Sequence, residues 1–303
     1  MYIVSGGQRI EVVSYSTEES IWDYAPVFRL ITMVKLPSSE WQLGETSYEY
    51  VVFSATVLGA GQYEYVSYPK GYWRLCQQLS NPVCGEYDIR TLCSALGLPF
   101  VTPHSPTSLS RHWWCFGSLR GRRLFDKLIL GSGCSGGGCS TFHYLLDGTF
   151  CYTDLLALSS QSASFTFSGI AESYSDSREA EVSVVGEMDV CFDDSRGVGT
   201  YERYVFREGS SLGGLKTYMS NDEFEQYRIW VARNTYWRSF LRSRGFRFSG
   251  VQLYDGTLAV GSVCLYTDGS AEGQPMICTG YTRSFTGTSP EVSLECILMS
   301  DVS

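Results

Sequence analysis

Apolar and polar residues alternate along much of this chain, with the two-residue period of a strand that buries one face. In ASFTFSG, Ala163, Phe165 and Phe167 fall on one side, and Ser164, Thr166 and Ser168 on the other. PVFRLITMVKL (26–36) and YEYVVFSATVL (48–58) are further β-rich runs bounded by Pro, Gly and Ser clusters, so the first ~75 residues are predicted as strands. The period then changes. YDIRTLCSALGL places Ile89, Leu92, Cys93 and Leu96 at helical spacing, with Asp88 as N-cap and Gly97 as stop. A second short helix is predicted at SLRGRRLFDKLIL, with Leu124, Phe125, Leu128 and Ile129 on one face. Two short runs around Asp147-Gly148, a favoured tight-turn dipeptide, then predict a hairpin in FHYLLDGTFCYTDL.

After the Ser-rich LSSQSAS, strands are predicted at ASFTFSG, EVSVVGEMDVCF and TYERYVF. One long helix follows over residues 220–244. Ser220 and Glu223 form a capping box, acids crowd its first turns, and Arg238, Arg242 and Arg244 crowd its last. Three more strands, in LAVGSVCLYT, QPMICTGYTR and EVSLECILM, close the chain, the last with Val292, Leu294, Cys296 and Leu298 on one face. No repeat of 20 to 50 residues is visible, which argues against solenoids and propellers.

Composition agrees with a folded, strand-rich chain: of 303 residues 44% are hydrophobic, 15% aromatic and only 18% charged. The net charge of −9 argues against a binder that neutralises nucleic-acid phosphates; it fits a surface past which DNA slides without sticking, and equally an ordinary soluble protein, since many are as acidic. The 11 cysteines are irregularly spaced, and MYIVSGGQRIEV lacks the basic and apolar regions of a signal peptide. Free cysteines packed as small hydrophobes in a reducing cytoplasm are the simplest expectation. No apolar run approaches 18 residues, so no membrane-spanning segment is predicted.

Candidate chemistry is sparse. Gly131, Gly133 and Gly136 spell G-x-G-x-x-G, but a dinucleotide loop needs a strand before it and a helix after it, the reverse of the order predicted here. Cys134, Cys139 and His143, with Cys115 or Cys151 as a fourth ligand, could offer a metal site, yet the paired C-x2-C spacing of structural zinc is absent. GSSLG (209–213) matches a nucleophile elbow, but His104, His112 and His143 all precede it, whereas that chemistry needs a later histidine. Cys115 with His112 or His143 matches no cysteine-protease signature. RHWWCF and RGRR combine aromatics with Arg111, Arg120, Arg122 and Arg123, the raw material of a single-strand binding face, or simply a solvated face beside core tryptophans. Phe224, Tyr227, Trp230, Trp237 and Phe240 of the long helix read as packing residues. No catalytic, cofactor-binding or metal-ligating residue is predicted, and no enzyme.

The order of parts is more informative. IRTLCSALGLPFV, HWWCFGSLRGRRLFDKLI and the hairpin FHYLLDGTFCYTDL are followed by YRIWVARNTYWRSFLRSRGFRFSG and then by strands carrying Gly261, Val263 and Leu265. This order resembles the baseplate hub family of tailed phages, which includes late control protein D and the N-terminal part of type VI secretion spikes. The likeness covers most of residues 86–303 as an ordered pattern of weak motifs. The glycine- and cysteine-rich stretch 131–139 departs from the pattern, and no needle or lysozyme-like extension follows the last strands.

The resemblance implies a β-rich α+β fold of two tail-tube-like β-barrel domains, residues 1–76 and 159–303, around a small α/β domain, 77–158, with the long helix 220–244 inside the second barrel domain. It further implies a homotrimeric ring at the virion tail tip, assembled in the bacterial host cytoplasm, that adapts a sixfold tail tube to a threefold central spike. Its partners would be a tail tube or distal tail protein, the spike and other baseplate proteins, with DNA passing only transiently. A carbohydrate- or receptor-binding β-sandwich protein of a virion, favoured by the Tyr and Trp richness, and a hydrolase without a visible site are the alternatives.

Overall fold

A computed structural model describes residues 1–22, 25–76, 83–87, 89–95, 97, 99–101, 107–108, 111–115, 132–133, 140–173, 187–193, 199–205, 215–219, 241–242, 244–269, 272–287 and 290–302.

The N-terminal region folds as six strands and one helix: β1 (Tyr2–Ser5), β2 (Gln8–Ser20), β3 (Val27–Thr32), β4 (Glu40–Leu43), β5 (Glu49–Gly59), β6 (Gln62–Pro69) and α1 (Lys70–Cys76). Gly6 and Gly7, both at positive φ, make the two-residue turn that brings Ser5 opposite Gln8 and starts the β1–β2 ladder. The strands pair in the order β1-β4-β5-β6-β3-β2, and β1 also pairs with β2, so the six close into a barrel. Alternation fills its interior: Ile3, Ile10, Phe28, Leu30, Trp41, Tyr50 and Tyr65 form one buried cluster. Trp41 stacks on Tyr50 at 4.4 Å, and Phe28 meets both edge-on at 5.0 and 5.3 Å. The polar atoms of these rings are satisfied inside, Trp41 Nε1 donating to Ser67 Oγ at 2.9 Å and Tyr65 Oη accepting from Leu36 N at 2.9 Å.

The middle region contributes β7 (Val83–Tyr87), α2 (Ile89–Ala95), β8 (Phe100–Val101), β9 (Thr107–Ser108), β10 (Arg111–Cys115), β11 (Ser132–Gly133), β12 (Ser140–Tyr144) and β13 (Phe150–Asp154). α2 lies where helical spacing placed it. β12 and β13 form the hairpin around Asp147-Gly148, with Thr149 N donating to Asp147 Oδ1 at 2.8 Å. Its inner side is aromatic: Phe142, Tyr144, Phe150 and Tyr152 are buried against one another. β8 extends the hairpin into a three-stranded sheet.

The remaining strands are β14 (Phe165–Ser173), β15 (Glu187–Asp193), β16 (Gly199–Val205), β17 (Leu215–Met219), β18 (Phe246–Gly256), β19 (Val263–Tyr266), β20 (Gln274–Phe285) and β21 (Pro290–Leu298). Five of them pair in the order β20-β19-β14-β18-β21, and β20 also pairs with β21, making a second ring of hydrogen-bonded strands. Phe165, Phe167, Phe248, Cys264, Met276, Ile277, Leu294 and Cys296 are buried in its core, which continues into Ile21, Trp22, Leu155 and Leu158. The two rings share a wall, because β2 pairs antiparallel with β20 from Tyr15↔Phe285 to Ser20↔Gly280.

β15, β16 and β17 do not join this wall. They pair with β10 and β7 in a separate five-stranded sheet ordered β16-β15-β17-β10-β7, so ladder bonds cross the expected domain limit at residue 158. Leu241 and Arg242 are helical; the rest of the long helix expected over 220–244, apart from Arg244, and the helix expected at 118–130 lie outside the described residues. Among the described residues no helix is long and apolar enough to cross a membrane.

Candidate functional site

Where the two rings and the β12–β13 hairpin meet, polar groups are buried together. Glu19 stands on β2 directly across from Tyr281 on β20, with only 5% of its surface exposed. Its carboxylate accepts a hydrogen bond from Leu146 N at 3.2 Å and another from the Tyr281 side chain. Burial outweighs both bonds and pushes the carboxyl up to about 7. Tyr50, from the first ring, donates its hydroxyl to the carbonyl of the same Leu146 at 2.6 Å. The hairpin turn is thereby anchored to the first ring through both backbone groups of one residue, and Glu19 links that contact to Tyr281 of the second ring.

His143, on β12, is fully buried near this joint. A Cβ on Gly261 would lie 3.2 Å from its ring, so the absence of a side chain at 261 leaves the room it occupies. Neither ring nitrogen has a hydrogen-bond partner among the described residues, and burial lowers the imidazole to about 4. It is a neutral packing ring and offers no base with an aligned partner.

Of the residues singled out in the sequence, the described ones are spread over several strands, and only the candidate pair His143 and Cys151 meets. His143 faces Cys151 across the hairpin ladder. His112 and Cys115 lie on β10, Arg111 at its start, and Gly133 pairs with Thr107. Gly131, Gly136, Cys134, Cys139, His104, Arg120, Arg122, Arg123, the GSSLG run and Phe224, Tyr227, Trp230, Trp237 and Phe240 lie outside the described residues. Among the described residues no group of three or more His, Cys, Asp or Glu could hold a metal ion. Among the described cysteines, Cys93, Cys264, Cys278 and Cys296 are buried. Burial pushes the Cys296 thiol well up, the state of an inert packing residue.

What the surface does offer is apolar strand. Phe53, Val57 and Leu58 of β5 are 62%, 69% and 48% exposed, and Ile170, Leu253 and Tyr254 of β14 and β18 form a similar set on the second ring. Residues 53–59 of β5 are exposed on both faces of the strand. Sequence reasoning passed over this arm, although the uncharged run 50–61 in a chain of net charge −9 is a signal for it.

In fold the chain is similar to phage tail proteins and to a type VI secretion spike-related protein, matching the baseplate-hub-like group that the order of parts resembles. The 43 kDa tail protein of prophage MuSo2 from Shewanella oneidensis matches with a TM-score of 0.60 over 100% of this chain and 99% of its own, at 11% identity. A tail protein from Neisseria meningitidis MC58 matches with a TM-score of 0.58 over 99% of this chain and 98% of its own, at 12% identity. A type VI secretion component from E. coli, described as similar to T4 bacteriophage tail proteins, matches with 0.52 over 98% of this chain and 76% of its own, at 11% identity. No family model and no curated protein sequence matches the chain.

Proposed function

We propose that this chain is a structural protein of a phage-type tail tip, a baseplate hub that works by geometry and adhesion. In this reading the first barrel (1–76) and the ring of β14 and β18–β21 within residues 159–303 are two tube-like modules, joined by the 77–158 unit and sharing its sheet through β15–β17. Three copies form a ring of six such modules, which meets a sixfold tail tube or distal tail protein on one side and a threefold central spike on the other. The helix at 220–244 belongs to the second module. The acidic chain lines a path through which DNA phosphates pass without adhering.

The observation that carries this reading is the continuous β2–β20 ladder. It sets two similar rings side by side within one chain, the doubling needed to turn threefold into sixfold. The likeness in fold to phage tail proteins supports the same role. Light scattering on purified full-length chain tests it: the expected mass is three times 33.8 kDa. A monomer at every concentration, or a twofold dimer, overturns it.

A further inference from the structure

Three wholly buried cysteines, one on each of three neighbouring strands, meet in the core of the second ring. Cys264 is on β19, Cys278 on β20 and Cys296 on β21, and β20 lies between the other two. Cys278 stands directly across from Cys296. Cys264 stands across from Met276, two residues before Cys278 and so on the same face of β20. The Cys296 thiol is in hydrogen-bonding contact with those of both Cys264 and Cys278.

Backbone geometry sorts the three possible pairs. The N–H of Cys278 donates to the Ser262 carbonyl at 3.0 Å, and its own carbonyl accepts from Gly261 N at 2.8 Å. Both backbone groups of Cys278 thus point away from β21, which makes Cys278↔Cys296 a non-hydrogen-bonded pair of the antiparallel ladder. In such a pair the Cα atoms lie about 4.5 Å apart, within the roughly 4.4–6.8 Å that a disulfide spans. Cys264 and Cys278 are diagonal neighbours, a separation of about 7–8 Å. Cys264 and Cys296 are two strand spacings of about 4.8 Å apart. Both exceed the ~7 Å beyond which a bridge needs the backbone to move. Cys296 therefore has two thiols in reach, and only Cys278 has the backbone spacing to bond it.

We propose that Cys278 and Cys296 are the site of a cross-strand disulfide, formed when the chain meets a disulfide oxidant, that staples β20 to β21 while Cys264 stays a thiol. One thiolate attacks the oxidant RSSR and releases RS⁻, and the second attacks the mixed disulfide and releases another. Two electrons pass to the oxidant, the two cysteine protons go with them, and two RSH result. None of the three residues is exposed in the closed ring, so the exchange takes place during folding or through local opening of the strands. A reducing cytoplasm keeps the pair as thiols, and an oxidising exterior closes it. The bond is then a lock added after the ring has formed. This site stands whether or not the chain is a tail hub.

Incubation of the folded full chain with oxidised glutathione in sub-denaturing urea tests it. After the remaining thiols are alkylated, non-reducing peptide mapping is expected to show Cys278 linked to Cys296, with Cys264 alkylated. Thermal melts supply a second readout. Oxidised wild type is expected to melt roughly 5–10 °C above reduced wild type. That increment should persist in Cys264→Ala and be lost from Cys296→Ala. Comparing oxidised with reduced protein within each variant cancels any stability lost to the substitution itself. Cys278 and Cys296 recovered alkylated, or either one joined to a different cysteine, overturns the proposal. So does an increment absent from wild type or retained in Cys296→Ala.

Discussion

Glu19 on β2 and Tyr281 on β20 face each other across the ladder that joins the two rings, and the tyrosine side chain hydrogen-bonds the buried carboxyl. The pair makes the joint sensitive to pH. Burial raises Glu19 from its ordinary 4.5 to about 7, so between those values the folded chain holds a proton that the unfolded chain has lost. The Glu19 contribution is therefore full below about pH 4.5 and lost as pH rises towards 7, a change on the order of 3 kcal/mol. Glu19→Gln keeps an acceptor for Leu146 N and removes the titration, and thermal melts from pH 4.5 to 7.5 should show this falling component gone.

His143 works in the opposite sense. Its imidazole is lowered by burial from 6.5 to about 4, so the unfolded chain binds the extra proton in that window. Stability from this group rises with pH through the window and is lost on acidification, again on the order of 3 kcal/mol. The two groups offset each other in wild type. His143→Leu should unmask the fall of stability with rising pH due to Glu19, and Glu19→Gln the rise due to His143. Slopes of the same sign in the two single variants would refute the assignment.

The first barrel depends on its aromatic interior. Phe28→Ala removes a 2% exposed ring that touches both Trp41 and Tyr50, and should cost about 3–5 kcal/mol in urea unfolding. Val57→Ala, at a position 69% exposed, should stay within about 0.5 kcal/mol of wild type.

Two glycines at similar φ should differ sharply. At Gly256 (φ +79°) a Cβ would lie 1.9 Å from the Ser164 carbonyl oxygen, whereas at Gly7 (φ +77°) nothing lies within 4 Å. Gly7→Ala should cost about 1–2 kcal/mol, the backbone strain alone. Gly256→Ala should exceed that several-fold or prevent folding, as melting temperatures of the two variants will report.

Local signals in the sequence were legible and long-range pairings were not. Phe165 and Phe167 announced β14 by alternation, Asp147-Gly148 announced the β12–β13 turn, and helical spacing from Ile89 placed α2. β18 escaped notice because Gly250 and Gly256 interrupt its alternation and seven of its residues 249–256 are exposed. No local feature of β10 says that it pairs with β17, which lies beyond residue 200, because strand partners are chosen by tertiary packing. Glu19 looked like one acid among several in STEES, and its burial follows only from the hairpin turn that closes over it.

The ladder from Tyr15↔Phe285 to Ser20↔Gly280 also has a mechanical meaning. Its hydrogen bonds run perpendicular to the strands, so sliding one ring along the other strains them all at once. Peeling the rings apart from one end breaks them one after another. A chain built this way resists thrust along β2 and yields to prying across it, so the direction of load decides whether it behaves as a strut or a hinge.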